Sequence, residues 1–237
     1  MLLFPNAKIN IGLRVMVPVG WCDILEMVPA AGAVGSFTLT GSTLGGCPPE
    51  KNLVIKALHA LEQHIGRSLP PLDIYLHKVI PDGAGLRGGS ADASFALRGA
   101  NEMFGLGLSD GELAAVAARV GADCPFFIYN RPMLVEGIGD RLTPVEMTEL
   151  KGLSIAIVKP EAEAVATKEA YAGITPAELP DGVRLTDHAA RPVGSWSSDG
   201  VLINDFETSI FPLRPAIAAT LEAMKECGAV YAAMSGS

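Results

Sequence analysis

The chain has 237 residues, 49% hydrophobic and 19% charged, with a formal net charge of −8, which gives ample material for a core and excludes a long disordered tail. The negative balance excludes a surface for polyanions, which needs clustered Lys and Arg, but leaves room for a small phosphate ligand held by backbone N–H groups and one or two cations. The most apolar stretches, 113–120 and 153–158, fall well short of the roughly 18–20 residues of a membrane span, and the start, Met1-Leu2-Leu3-Phe4-Pro5-Asn6, lacks a basic region, so a cytoplasmic protein is expected.

In chain order, residues 8–15 alternate Ile9, Ile11 and Leu13 with small or polar residues and read as a strand. Residues 23–28 and 36–40 read as further short strands. Residues 52–65 carry helical periodicity through Leu53, Ala57, Leu58 and Leu61, with Gly66 as a stop. Leu72, Ile74 and Leu76 alternate again as a strand running towards Pro81. A glycine-dense stretch follows, and then a helix to about Phe104. Ser109-Asp110-Gly111-Glu112 is a capping box ahead of the apolar run 113–120, and Gly121 stands where a closing glycine belongs. Residues 125–129 read as a strand. A second region opens near Gly152 with a strand over 153–158, a short helix over 167–172, an irregular Pro-rich stretch to about Ser198, a helix over 215–227 and a strand over 229–234. Strands mixed with paired helices, without regular βαβ alternation, predict an α+β fold, divided as 1–150 and 151–237.

Cys22, Cys47, Cys124 and Cys227 are scattered, with no C-x-x-C, and His59, His64, His77 and His188 match no motif. Neither a disulfide nor a bound metal centre is expected.

Gly83-x-Gly85-x-x-Gly88 formally matches G-x-G-x-x-G. No acidic residue closes a second strand about 20 residues on, as a dinucleotide fold needs, and no Gly-Lys-Ser/Thr follows, as a Walker loop needs. What remains is a glycine turn entering a helix at Gly89, Ser90, Ala91 and Asp92. Glycines permit positive φ and close backbone approach, and the first N–H groups of a helix favour a phosphate. Asp92 in that first turn favours the helix dipole but would repel a phosphate unless a metal ion intervenes.

Pro81-x-Gly83-x-Gly85-Leu86-x-Gly88-Gly89-Ser90-x-Asp92-Ala93 resembles the ATP-phosphate loop of GHMP kinases, in the version found in diphosphocytidyl-methylerythritol kinases. Pro5-Asn6-Ala7-Lys8-Ile9-Asn10 resembles their P-x-A-K-x-N first strand, and Gly121-Ala122-Asp123-Cys124-Pro125-Phe126-Phe127 their G-A-D-x-P-F-F segment. The resemblance implies a GHMP kinase fold with an N-terminal ATP-binding domain and a ferredoxin-like second domain, the latter incomplete. It implies ATP as phosphate donor, Mg2+ as counter-ion, and phosphorylation of the 2-hydroxyl of 4-diphosphocytidyl-2-C-methyl-D-erythritol, by a monomer or homodimer with no nucleic-acid or membrane partner.

By the same resemblance Asp123 is the base, Lys8 its cationic neighbour, and Pro81, Asp82, Gly83, Ala84, Gly85, Leu86, Arg87, Gly88, Gly89, Ser90 and Ala91 contact ATP. Asn10, two residues beyond Lys8 on the same strand face, is a substrate contact; Thr167 and Tyr171 fall where the family holds the cytidine end. Three departures stand out. The family's D-G-Y-H hairpin is missing, because Val15 runs through Trp21 straight into Cys22 and Asp23. Arg87 replaces a glycine of the loop, where it crowds the phosphates if φ is positive and helps hold ATP if it points outward. The chain stops at Ser235-Gly236-Ser237, inside the family's second glycine-rich loop. A different class of reading, a non-catalytic nucleotide-binding remnant, stays open, as does another small-molecule GHMP kinase.

Overall fold

The computed structural model describes residues 1–12, 14–41, 48–137, 141–160, 185–196 and 202–236, together with 163, 165 and 170. Two four-stranded sheets form the framework. One contains β1 (Leu2–Leu3), β4 (Ile24–Pro29), β6 (Leu72–Lys78) and β5 (Phe37–Gly41), in that spatial order. The other runs β2 (Asn6–Ile11), β3 (Val15–Cys22), β7 (Met133–Glu136) and β8 (Arg141–Pro144). Period-2 patterning explains the first: Leu72, Ile74 and Leu76 of β6 are buried, with Tyr75 and His77 outward, and Leu25 and Met27 of β4 match them from the neighbouring strand. Lys78 completes the buried row of β6, so an ammonium stands in phase with three core residues.

Helices α1 (Leu53–Ile65), α2 (Gly88–Met103) and α3 (Asp110–Ala118) cover this sheet. Asn52 caps α1 by accepting from the Val54 N–H, and Gly66 closes it at φ +69°. The Ser109–Glu112 capping box opens α3. Gly121 does not close α3 by a left-handed turn; its N–H returns to the Ala117 carbonyl with negative φ.

Two expected elements of this region differ, and one expected junction gains a reason. Residues 8–15 are not one strand: β2 ends at Ile11, Gly12 turns the chain at φ +59°, and β3 returns antiparallel. Only Asp23 separates β3 from β4 although they belong to different sheets, so the direct run from Trp21 into the next strand is a sheet switch. Residues 125–129 form not a strand but the end of a short helix, α4 (Cys124–Tyr129), which buries Cys124, Phe126, Phe127 and Ile128 on several sides. Pro125 suits the first turn of a helix, and so short an apolar run has no period that separates helix from strand.

After residue 150 the described chain forms α5 (Leu185–Ala189), a 3-10 turn at Val193–Ser195, α6 (Phe206–Ile210) and α7 (Pro215–Glu226). The stretch read as irregular thus contains α5 and the 3-10 turn. Leu185, Ala189, Val193, Trp196 and Leu202 pack on Ile11, Val15 and Val17, which places a second core on the outer face of β2 and β3. Residues 153–158 and 229–234 join neither sheet, contrary to expectation. A strand exists only with a hydrogen-bonded neighbour; here the two segments line, with α7, a cavity of about 830 Å3. The helix expected at 167–172 lies, apart from Ala170, outside the described residues. No helix among the described residues is long and apolar enough to cross a membrane.

Candidate active site

The glycine loop joins β6 to α2, and three of its residues have left-handed backbone: Gly83 at φ +65°, Gly85 at φ +71° and Arg87 at φ +59°. At Gly85 close approach adds to the need for glycine, since a Cβ there would lie 2.4 Å from the Ser235 carbonyl oxygen. Leu86 and Ala91 are buried, one against Ala7 and Ile80, the other against Met16, Phe126 and Phe127. Leu86 therefore offers a ligand only its backbone, and the Ala91 N–H is already donated to the Arg87 carbonyl at 3.1 Å. Pro81, Ala84, Gly89 and Ser90 are half-buried, Asp82 and Gly83 exposed, and Gly88 buried.

Beneath the loop lies a charged cluster. Lys78 Nζ donates to Asp23 Oδ2 and, at 2.7 Å, to Asp92 Oδ2, while Asp23 Oδ1 accepts the N–H groups of Val79 at 2.6 Å and Ile80 at 2.8 Å. All three side chains are buried, and Asp92 Oδ1 has no partner. Two carboxylates beside one ammonium leave an excess negative charge: burial, reinforced by Asp23, pushes Asp92 up to about 7 against the pull of Lys78. Burial alone would lower Lys78, but Asp92 and Asp23 more than offset it and hold its pKa above the ordinary value. Asp92 therefore faces the interior, and the conflict with a phosphate foreseen for it does not arise.

Strand β2 is stitched to the loop by the Lys8 N–H, which donates to the Leu86 carbonyl at 3.2 Å. The Lys8 side chain is 1% exposed and donates to Asn10 Oδ1, as two residues on one strand face can. Burial drives its pKa down to about 7; Asp123 opposes that shift and Arg87 adds to it. Asp123 occupies the position before α4 without capping it, and its Oδ2 lies 2.9 Å from Arg87 Nε. The N–H is not aligned for a hydrogen bond, so the pair is a charge contact. Lys8, Asn10, Arg87 and Asp123 thus converge beside the loop, whereas Thr167 and Tyr171 lie outside the described residues.

Sequence reading missed the groups that brace the site. Asp23 and Lys78 carry no local motif, and only the fold brings them together. Ser235, whose Oγ accepts the Asn10 N–H at 2.9 Å, and Asn204, whose Nδ2 donates to the carbonyls of Met234 at 2.7 Å and Gly236 at 2.9 Å, are placed by tertiary contact alone.

The glycine-rich turn into α2 and Asp123 lie within residues 52–131, which match the model of the GHMP kinases N terminal domain. Over its whole length the chain is 45% identical to the 4-diphosphocytidyl-2-C-methyl-D-erythritol kinase of Parabacteroides distasonis and 44% identical to that of Bacteroides fragilis, spanning 89% of each. A crystal structure of 4-(cytidine 5'-diphospho)-2C-methyl-D-erythritol kinase superposes with a TM-score of 0.74 at 24% identity, over 100% of this chain and 87% of that one. The chain belongs to the 4-diphosphocytidyl-2-C-methyl-D-erythritol kinase family.

Proposed function

We propose that the chain transfers the γ-phosphoryl group of ATP to the 2-hydroxyl of 4-diphosphocytidyl-2-C-methyl-D-erythritol. Asp123 takes the hydroxyl proton, the oxygen forms its bond to the γ-phosphorus, and the bond from phosphorus to the β–γ bridging oxygen breaks to release ADP. Lys8 supplies a cation beside base and phosphoryl group, and Asn10 orients both the ammonium and the substrate. Residues 81–91 cradle the phosphates with backbone N–H groups and the start of α2. Thr167 and Tyr171 are assigned to the cytidine end. The observation that carries this reading is the shared field of Lys8, Arg87 and Asp123 at the edge of the loop.

Mg2+ fits as a companion of the nucleotide. This ion keeps several waters and binds through substrate phosphates with one or two carboxylates, and no cluster of three or more His, Cys, Asp or Glu suited to a metal occurs among the described residues. Asp92 is committed to Lys78, which leaves the exposed loop residue Asp82 and Asp123 as the carboxylates at the phosphate side, Asp82 being the one not needed as the base. When bound, the ion would neutralise charge on the phosphates.

Incubation with ATP, Mg2+ and the cytidine substrate, followed by 31P NMR, tests the assignment. A new phosphomonoester resonance with stoichiometric ADP is expected; hydrolysis of ATP alone, or equal use of homoserine or mevalonate, would contradict it.

A further inference from the structure

Arg87 stands in the loop without a structural reason to be arginine. Among the described residues it and Asn130 are the non-glycines with positive φ, and asparagine tolerates that backbone while a long branched side chain gains nothing from it. Glycine would make the same turn without strain. Backbone strain of this kind persists where surrounding interactions fix it, most often at functional sites.

The side chain shows what fixes it. Arg87 is 36% exposed, yet its Nε is buried 2.9 Å from Asp123 Oδ2 and has no aligned acceptor. An always-charged guanidinium is thus held by one off-axis charge contact, with donors to spare, at the start of the 16-residue helix α2. Arg87 and Lys8, the latter brought by burial to a pKa of about 7, flank a single carboxylate, and Arg87 disfavours the charged form of Lys8. With the positive end of α2 added, the charge count calls for an anion, and a phosphoryl group offers the planar fork of arginine two aligned acceptors in place of one misaligned one.

We propose that Arg87 is a further catalytic residue, whose guanidinium holds Asp123 while the phosphate site is empty and turns to the transferred phosphoryl group when ATP binds. This rests on the kinase reading above. The exchange leaves Asp123 free for the hydroxyl proton at the moment the nucleotide is in place, and it sets a guanidinium against the charge that spreads over the equatorial oxygens as the phosphorus changes partners. It also means that the departure from glycine adds a function to the loop rather than merely crowding it.

The test uses the full chain. Arg87→Gly is expected to lower kcat at least 50-fold, with little change in KM for the cytidine substrate, and millimolar guanidinium should restore part of the loss. Arg87→Lys should recover less than a tenth of wild-type turnover, since an ammonium lacks the fork. Independently of activity, the Arg87 Nε–H resonance, assigned by its disappearance in Arg87→Lys, should shift when a non-hydrolysable ATP analogue is added with Mg2+. Turnover of Arg87→Gly at or above the wild-type rate overturns the proposal, as does an unmoved Arg87 resonance in a protein that binds the analogue. A chain that binds no nucleotide overturns the kinase reading, and this proposal with it.

Discussion

Lys78 and Asp92 are joined at 2.7 Å across the base of the glycine loop, so the last residue of β6 and the start of the second turn of α2 are held together by one buried ion pair. The loop leaves and re-enters the framework at this point. Asp23 adds a third fastening by accepting from Lys78 and from the N–H groups of Val79 and Ile80. Breaking a buried pair by deleting one partner strands the other in a medium of low polarity, at a cost of about 3–5 kcal/mol. Lys78→Met, which leaves two buried carboxylates, should lose at least that much in chemical denaturation. Asp92→Asn, which keeps an acceptor and leaves Lys78 paired with Asp23, should lose less than about 1.5 kcal/mol.

The same cluster gives a pH dependence with a definite sign. Asp92 is pushed up to about 7 in the folded chain from an ordinary value of 3.8, with burial as the main cause. Between those values the folded state binds the proton and the unfolded state does not, so its contribution to stability falls as pH rises from about 4 to about 7. Denaturation midpoints measured across that window should decline more steeply for the wild type than for Asp92→Asn.

Gly88 is constrained from below rather than by its ligand. A Cβ at this position would lie 3.0 Å from Lys78 Nζ, 3.1 Å from Asp23 Oδ2 and 3.1 Å from Ile80 Cβ. Gly88→Ala should therefore cost roughly 1–3 kcal/mol. At Gly89 the nearest atom would be Leu53 Cδ1 at 3.5 Å, an ordinary contact, so Gly89→Ala should leave the melting temperature of the nucleotide-free protein nearly unchanged. Calorimetric scans of the two variants make the comparison.

Lys8 is held against its own stability. Its pKa falls from an ordinary 10.5 to about 7, because burial outweighs the attraction of Asp123 and Arg87 adds repulsion. Between pH 7 and 10.5 the unfolded chain carries a proton that the folded chain has lost, so stability attributable to this residue rises with pH over that window. Lys8→Met should abolish turnover and still raise stability near pH 7, by roughly 1–2 kcal/mol. Asp123 keeps Arg87 as its partner in that variant, so no bare carboxylate offsets the gain. Thermal denaturation beside a turnover assay reads both effects.

Legibility from sequence tracked the range over which each feature is decided. The glycine loop, the Lys8 segment and the Asp123 segment are runs of neighbouring residues, and each could be read as a unit. The capping box of α3 and the cap of α1 are local in the same sense. The brace below the loop was not legible, because Lys78 lies 55 residues from Asp23 and only the fold brings them together. Strand status was also misjudged where it depends on a partner: residues 153–158 and 229–234 have the composition of strands but join no sheet, and β3 is a strand because β2 and β7 flank it. Helix α4 was missed since a six-residue, mostly apolar run buried on several sides has no period to read.

The central claim is that Asp123 takes the proton from the substrate hydroxyl, and Asp123→Asn tests it most directly, because amide replaces carboxylate at nearly constant shape. With turnover followed by coupled ADP release and nucleotide affinity by calorimetry, kcat should fall by about 10²–10⁴-fold while the Kd for ATP changes little. A variant that releases ADP at the wild-type rate would contradict the account.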